Sequence, residues 1–413
     1  MKVHIRTFGC RANHYDSEIV RALASSGGHE LVDRAEDADL AVFNSCAVTS
    51  EAERDVRKAV RHAASRNPRL RSVVMGCASA LPTSQPTLRA LPSVEDVVAG
   101  ADMARLGLLL GVSAASAALP TRQTSVRALL RVQDGCDEHC TFCATTIARG
   151  ANRSRGADEL VEEALALAEH HPEIVITGTH IGTYGADIES SLGALVQRLV
   201  RDVPRVRFRL SSIEATEVDD ALVELLAGDP SRVAPHLHAP LQSGSDRLLK
   251  RMGRHWYTAE SYARVIERLA ARMPLFGLGA DVIVGFPGET DGDFAETAAL
   301  VERLPFTYLH VFTYSPRAGT AATRLPNHVP LAIAQARSAE LRHRAQAKGN
   351  EYRRRRVGTY ADAIVISSGA ERQAVTEDYL TLALRGEPRA RGDRFAAFAR
   401  AEGDALVLYS EPT

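Results

Sequence analysis

The segment GCDEHCTFC, residues Gly135–Cys143, places Cys136, Cys140 and Cys143 in a C-x3-C-x2-C spacing. Thiols grouped this closely in a chain without an apolar leader read as metal ligands, not as disulfide partners. Zinc sites and ferredoxin clusters take four protein ligands, commonly as Cys-x-x-Cys pairs. No fourth cysteine follows here, and His139 lies inside the loop. Three thiolates leave one iron of a [4Fe–4S] cluster without a protein ligand, open to a small molecule.

On both sides of this loop the chain alternates short apolar runs with amphipathic stretches, the pattern of parallel α/β architecture. Ala128–Val132, Glu173–Thr177, Arg205–Leu210, Pro235–Ala239, Gly277–Val284 and Thr307–Thr313 read as strands. Helices fall between them, among them Ala157–His170, Leu192–Val200, Ala259–Met273 and Asp293–Leu304. Over residues 126–352 this predicts an open, incomplete TIM-like (β/α)6 barrel, though the periodicity alone fits a flat doubly wound sheet equally well.

Residues 1–111 read as a separate parallel α/β unit, with strands Val3–Thr7, Asp39–Asn44 and Arg71–Met75. Ser17–Ser25 and Glu51–Ser65 are its helices, the second capped by Thr49 or Ser50. Cys10, Cys46 and Cys77 each sit just past one strand. Ligands of such sheets bind beyond the carboxyl ends of the strands, so these three dispersed thiols are expected to converge. An Ala-, Ser- and Thr-rich linker spans 112–125. From 353 to 413, short runs (Tyr360–Ser367, Gln373–Thr376, Tyr379–Ala383, Arg394–Arg400, Ala405–Tyr409) divided by Gly and Asp predict a small all-β barrel.

A length of 413 residues predicts two to three domains, and an apolar fraction of 45% is ordinary for a globular chain. No run reaches membrane-spanning length and MKVHIRTFGC lacks signal-peptide character, so a cytoplasmic protein without a membrane partner is expected. The net charge of −1 gives no global nucleic-acid footprint. Local basic groups do occur: Arg149, Arg153 and Arg155 after the cysteine loop, and Arg353, Arg354, Arg355 and Arg356 before the small barrel. Such groups suit RNA phosphates or form a solvated face.

Together with its Phe142, the loop and the segments RGANRSR, VITGTHIGTYG, RLSSIEATE, HLHAPLQSGSDRLLKRMGR and DVIVGFPGET resemble the radical S-adenosylmethionine (SAM) domain of methylthiotransferases. TFGCRANHYDSE, FNSCAVTSEAERD and VVMGCASA resemble that family's N-terminal domain, and the segment VTEDYL lies in a stretch resembling an RNA-binding TRAM barrel. The resemblance implies two [4Fe–4S] clusters, one on Cys136, Cys140 and Cys143, the other on Cys10, Cys46 and Cys77. It implies SAM at the open iron of the first, cleaved to a radical that removes hydrogen from a C–H bond, and a methylated sulfur presented by the second. Phe142, Thr177, Gly178, Thr179, Ser211, Glu214 and Gln242 are the implied SAM-side residues. A glycine turn at Gly178 and a buried Ser211/Glu214 pair are the ordinary alternatives. Thr146, Ala215 and Gly253 depart from the family's usual residues without removing a thiolate.

RANHYDSE, SSIE and the short C-terminal ending lean toward the branch that methylthiolates C2 of N6-threonylcarbamoyladenosine at tRNA position 37. Sister branches act on isopentenyladenosine 37 and on a ribosomal-protein aspartate. An RNA-binding iron–sulfur redox sensor is the alternative of another class, but a sensor has no need of an open three-thiolate site inside a βα barrel. The branch implies as partners a tRNA anticodon stem-loop, a one-electron donor such as flavodoxin or ferredoxin, and a sulfur donor. Because a threonylcarbamoyl group carries a carboxylate, an arginine is expected on the substrate side, Arg149 or Arg153 first.

Overall fold

The computed structural model describes residues 1–47, 50–112, 119–369 and 371–410. The expected cap residue Thr49 lies outside these, as do the side chain of Ser50 and residues 113–118 of the expected linker.

In the first unit, β1 (Lys2–Thr7), β2 (Glu30–Leu31), β3 (Leu40–Ser45), β4 (Arg71–Gly76) and β5 (Val94–Val97) form one parallel sheet in the order β2-β1-β3-β4-β5. The central strand β3 is buried along its whole length, because apolar layers cover both faces of the sheet. The sequence reading found three of these strands. It missed the two-residue β2 and also β5, whose two acidic residues, Glu95 and Asp96, break the apolar run. The helix read as Ser17–Ser25 begins at Arg11, with Cys10 as its N-cap residue. Its first turns carry buried Asn13, Asp16 and Glu18, a polar set that hides the apolar period.

β6 (Ala128–Arg131) begins the second unit. β7 (Gln133–Asp134) pairs with β8 (Arg153–Ser154) as a short antiparallel ribbon at the base of the cysteine loop. β9 (Glu173–Thr177) lies between β6 and β10 (Arg207–Leu210), all parallel. Single bridges, Phe208 to Val233 and Ser212 to His238, link β10 to β11 (His236–His238). β11, β12 (Gly277–Val284) and β13 (Tyr308–Thr313) complete the parallel series. Among the described residues no pairing joins β6 to β13, so this is the open six-stranded barrel and not a flat sheet with a strand-order reversal. Its core is one large cluster of Leu, Ile, Val and Ala from strands and outer helices.

A 26-residue helix, Leu331–Arg356, leads into the third unit. There β14 (Tyr360–Ser367), β15 (Gln373–Val375), β16 (Thr381–Gly386), β17 (Arg394–Glu402) and β18 (Ala405–Ser410) close into a barrel in the order β14-β15-β16-β18-β17. The expected β-rich stretch from 353 therefore opens with the last turn of a helix. Arg356 is buried there against Glu377 (3.0 Å) and Asp378 (3.2 Å). This corrects its reading as an RNA contact, because both its charge and its donors are used inside the fold. Arg354 and Arg355 are exposed, Arg353 is half-buried, and Arg355 donates to the Pro274 carbonyl at 2.6 Å.

Candidate functional site

The cysteine loop is braced at three points. Cys136 N–H donates to the Gly150 carbonyl (3.0 Å), Thr141 N–H to the Met252 carbonyl (2.8 Å), and Ala322 N–H to the Thr141 carbonyl (2.8 Å). Gly135, at φ +76°, has no room for a side chain because a Cβ would run into the Ala151 carbonyl. So held, Cys136, Cys140 and Cys143 face a cavity of about 170 Å³ also bordered by Phe142, Thr179 and Glu214. No fourth thiol joins them among its lining residues. Burial pushes the Cys140 thiol up to about 12, with the Arg254 guanidinium pulling the other way. Arg254 donates to Cys140 Sγ at 3.4 Å. Thiols this reluctant to ionise give up their protons when a metal takes their place, which is the chemistry of a cluster site and fits this donor set.

The dispersed thiols converge as the strand ends require. Asn13 Oδ1 lies 3.5 Å from Cys77 Sγ and 3.9 Å from Cys10 Sγ. A Cβ on Gly9 would stand 2.8 Å from Cys46 Sγ, so glycine allows the β1 and β3 ends to close up. Burial raises the Cys77 thiol to about 12, opposed by Arg149. Asn13 also donates to the Ser45 carbonyl (2.7 Å), while Asn44 donates to the Asn13 carbonyl (2.7 Å). The two asparagines thus hold the thiol-bearing ends in register instead of pointing N–H groups at sulfur.

A second cavity of about 120 Å³ is bordered by Cys77 from one set and Cys143 from the other, with Phe142 and Arg317. The helix Arg11–Ser26 docks the two units that supply these thiols. Asp16 is fully buried and pairs with Arg149 (2.7 Å) and with Arg131. Tyr15 donates to Glu163 (2.9 Å), which also pairs with Arg155 (2.7 Å).

Three comparisons with known proteins match this layout. Residues 2–100 match the model of uncharacterized protein family UPF0004, and residues 130–301 match the Radical SAM superfamily. The threonylcarbamoyladenosine tRNA methylthiotransferase MtaB of Thermotoga maritima is 36% identical over 86% of this chain and 84% of its own length. This chain belongs to the radical SAM tRNA methylthiotransferase family. MtaB of Aquifex aeolicus is 33% identical over 94% of this chain and 97% of its own. A tRNA-2-methylthio-N(6)-dimethylallyladenosine synthase of Bacillus subtilis is 31% identical over 88% of this chain and 75% of its own. Among solved structures, the radical SAM methyltransferase TsrM of Kitasatospora setae, with cobalamin and a [4Fe–4S] cluster bound, superposes with a TM-score of 0.56. It covers 76% of each chain at 15% identity, a likeness of fold.

Within this methylthiotransferase the other residues singled out from sequence divide. Phe142, Thr179, Glu214 and Gln242 border the thiol cavity, and Gln242 holds a left-handed backbone (φ +62°) that costs a non-glycine residue energy. Thr177, Gly178 and Ser211 do not border it. Gly178 packs against Gln133, where a Cβ would lie 2.7 Å from the carbonyl oxygen, and Ser211 N–H donates to the Ile176 carbonyl. The reading of Arg149 as an RNA contact is corrected: Asp16 and Asp134 (3.1 Å) hold its buried guanidinium at the domain junction, beside the Cys77 thiol. Arg153 is exposed, its side chain 60% accessible.

Sequence reasoning passed over His180, Arg254, Trp256 and Arg317. His180 Nδ1 lies 3.5 Å from Cys136 Sγ and its Nε2 lies 2.7 Å from Glu217. Arg254 and Trp256 both donate to Glu214. His180 and Arg254 lie inside the quoted segments VITGTHIGTYG and HLHAPLQSGSDRLLKRMGR, where no spacing marks them out. Trp256 and Arg317 lie outside any quoted segment, so the fold is what brings these side chains to the thiols.

Proposed function

We propose that this methylthiotransferase converts N6-threonylcarbamoyladenosine at position 37 of tRNA to its 2-methylthio derivative. Cys136, Cys140 and Cys143 would hold one [4Fe–4S] cluster, and Cys10, Cys46 and Cys77 a second. The observation carrying the reading is the shared cavity: Cys77 of the sheet unit and Cys143 of the barrel border the same space. A reaction that replaces C–H by C–S–CH3 needs a radical source and a sulfur carrier near one carbon, and a cavity bordered by one thiol of each three-cysteine set meets that need. The likeness to MtaB proteins supports the threonylcarbamoyl substrate.

A cluster held by Cys136, Cys140 and Cys143 would supply one-electron reduction of SAM and with it the means to remove hydrogen from the substrate carbon. The chain's own residues prepare the space. Glu214, paired with Arg254 and accepting from Trp256 Nε1 (3.2 Å), offers a fixed carboxylate wall for the amino group of SAM, alongside Thr179 and Gln242. Phe142 packs edge-on to Phe286 with ring centroids 6.3 Å apart and borders both cavities, an apolar partition that keeps water from the reacting atoms. The terminal barrel would contact the tRNA, a flavodoxin or ferredoxin would deliver the electron, and a separate donor the sulfur. No helix among the described residues is long and apolar enough to cross a membrane.

The test is mass spectrometry of tRNA nucleosides from cells with and without the gene, followed by reaction of reconstituted protein with defined anticodon stem-loops. Loss of 2-methylthio-threonylcarbamoyladenosine on deletion, with its 2-methylthio-isopentenyl counterpart retained, is the expected result. The reverse pattern would move the chain to the sister branch.

A further inference from the structure

One face of the half-barrel leads from the cysteine loop into the interior. Nearest the loop is a cavity of about 190 Å³ bordered by Phe142, Gln242, Asp281, Ile283, Phe312 and Tyr314. The Tyr314 hydroxyl is buried without a hydrogen-bond partner. One pleat deeper on the same face, β12 and β13 pair Asp281 with His310, and β11 contributes His238. Asp281 Oδ1 accepts from His310 Nδ1 (3.1 Å) and from His238 Nε2 (3.1 Å). His238 Nδ1 lies 3.1 Å from the Tyr308 hydroxyl. Farther in, Tyr308 meets Tyr379, brought in by the terminal barrel, whose hydroxyl accepts from Arg11 at 3.0 Å.

Both imidazoles meet the same carboxylate oxygen, Oδ1, and His310 keeps its second ring nitrogen for another partner. With Nδ1 committed to Asp281, His310 presents Nε2 from a side chain 57% exposed, while its neighbour Phe312 stays on the aromatic cavity. The two imidazoles hold the Asp281 carboxyl well below its usual range, despite the opposing effect of burial, so it stays ionised. With Nδ1–H given to Asp281, a doubly protonated His310 ring would offer its Nε2–H to an anion as a charge-assisted donor.

We infer that His310, oriented by Asp281, reads the N6 substituent of the substrate purine, its Nε2–H donating to a carboxylate on that substituent while the base occupies the aromatic cavity. This rests on the methylthiotransferase reading and adds the element that selects the substrate. An isopentenyl group would leave the same imidazole and carboxylate unpaired, and a site built for hydrogen bonds rejects a ligand that lacks them. The three side chains could also hold a divalent cation, since their ligand atoms lie within 4.8 Å of one another. One observation favours the substrate: through Asp281 the trio continues the cavity that starts at the thiol loop.

The experiment uses reconstituted full-length protein and anticodon stem-loops carrying threonylcarbamoyladenosine or unmodified adenosine at position 37. Wild type should bind the first at least about tenfold more tightly, the scale of one charge-assisted hydrogen bond. His310→Phe should bind both alike, and His310→Gln should recover part of the preference because it keeps a donor. Iron content and the thermal transition serve as the folding control. Full preference retained in His310→Phe overturns the assignment alone. No preference in the wild type overturns the assignment together with the threonylcarbamoyl reading. One equivalent of zinc or manganese bound by wild type and lost in His310→Ala would make the trio a metal site instead.

Discussion

The two thiol sets contain the same number of cysteines and are assembled by opposite routes. Cys136, Cys140 and Cys143 come from one loop, closed by local hydrogen bonds such as Cys143 N–H to the Cys140 carbonyl (3.1 Å). Cys10, Cys46 and Cys77 come from three strand ends and exist as a set only once β1, β3 and β4 pair. The first is a motif that a sheet supports; the second is a property of the sheet itself. A loop site can be lost without unfolding its domain, whereas the sheet site answers to any strain on strand register.

The largest test removes each set in turn. With Cys136, Cys140 and Cys143 changed to Ala, iron should fall from about eight to about four per chain and SAM cleavage should vanish. With Cys10, Cys46 and Cys77 changed, iron should fall by the same amount while SAM cleavage persists without methylthiolation. Full iron in the second variant would break the comparison.

Backbone strain should then reproduce that loss without touching sulfur. Gly76, at φ +96° and packed against Asn44 and Ser45, accepts no side chain. Gly76→Val should cost roughly 3 kcal/mol and empty the sheet set selectively, leaving the loop set's iron and SAM cleavage. Equal loss from both sets, read by iron analysis and Mössbauer spectra, would mean that the sheet site is not independently sensitive.

A third prediction concerns the junction that joins the sets. Arg149→Met leaves Asp16 buried with Arg131 alone and should destabilise the chain by about 3 kcal/mol, with a matching drop in Tm. Burial raises the Asp134 carboxyl, but Arg149 and Arg131 outweigh it and hold the group below its ordinary range. Its contribution to stability is therefore present at neutral pH and fades as the pH falls below about 4. In Arg149→Met that acid-dependent loss should shrink; an unchanged pH profile in chemical denaturation would disconnect Asp134 from the junction.

The smallest effect lies on the terminal barrel. Arg400 stacks on Phe398 (5.3 Å) and Tyr409 (4.8 Å), an exposed cation among aromatic rings suited to RNA. Arg400→Ala should weaken tRNA binding by about two- to fivefold and lower the salt slope by about one, with SAM cleavage intact. Unchanged affinity would place the RNA contact on another face.

Deleting this barrel outright would be a poorer test than point changes. The buried Arg207 and Arg209, which share Glu173, also donate to the Asp362 carbonyl (2.8 Å) and the Thr376 carbonyl (3.0 Å) of the barrel. Removing those acceptors would strand two buried cations and confuse lost binding with lost folding.

By itself the sequence determined the main parallel strands of the first two units and the β-rich character of the third, and it singled out both groups of cysteines. It passed over β2, β5, the β7/β8 ribbon and the helix Leu331–Arg356. Apolar period and cysteine spacing are local signals, and they survive wherever a strand or loop is stabilised by its own neighbours. It misjudged residues whose partners lie far along the chain. Arg149 and Arg356 looked like RNA contacts until folding brought Asp16, Asp134, Glu377 and Asp378 against them. The start of the helix Arg11–Ser26 was obscured because its polar face is buried against another unit. Only the tertiary structure decided that the half-barrel stays open between β6 and β13, that Cys77 and Cys143 share a cavity, and that His238, Asp281 and His310 meet on one face. A charge carries no mark in sequence of the counter-charge that neutralises it, and a cavity is a relation among side chains that only packing brings together.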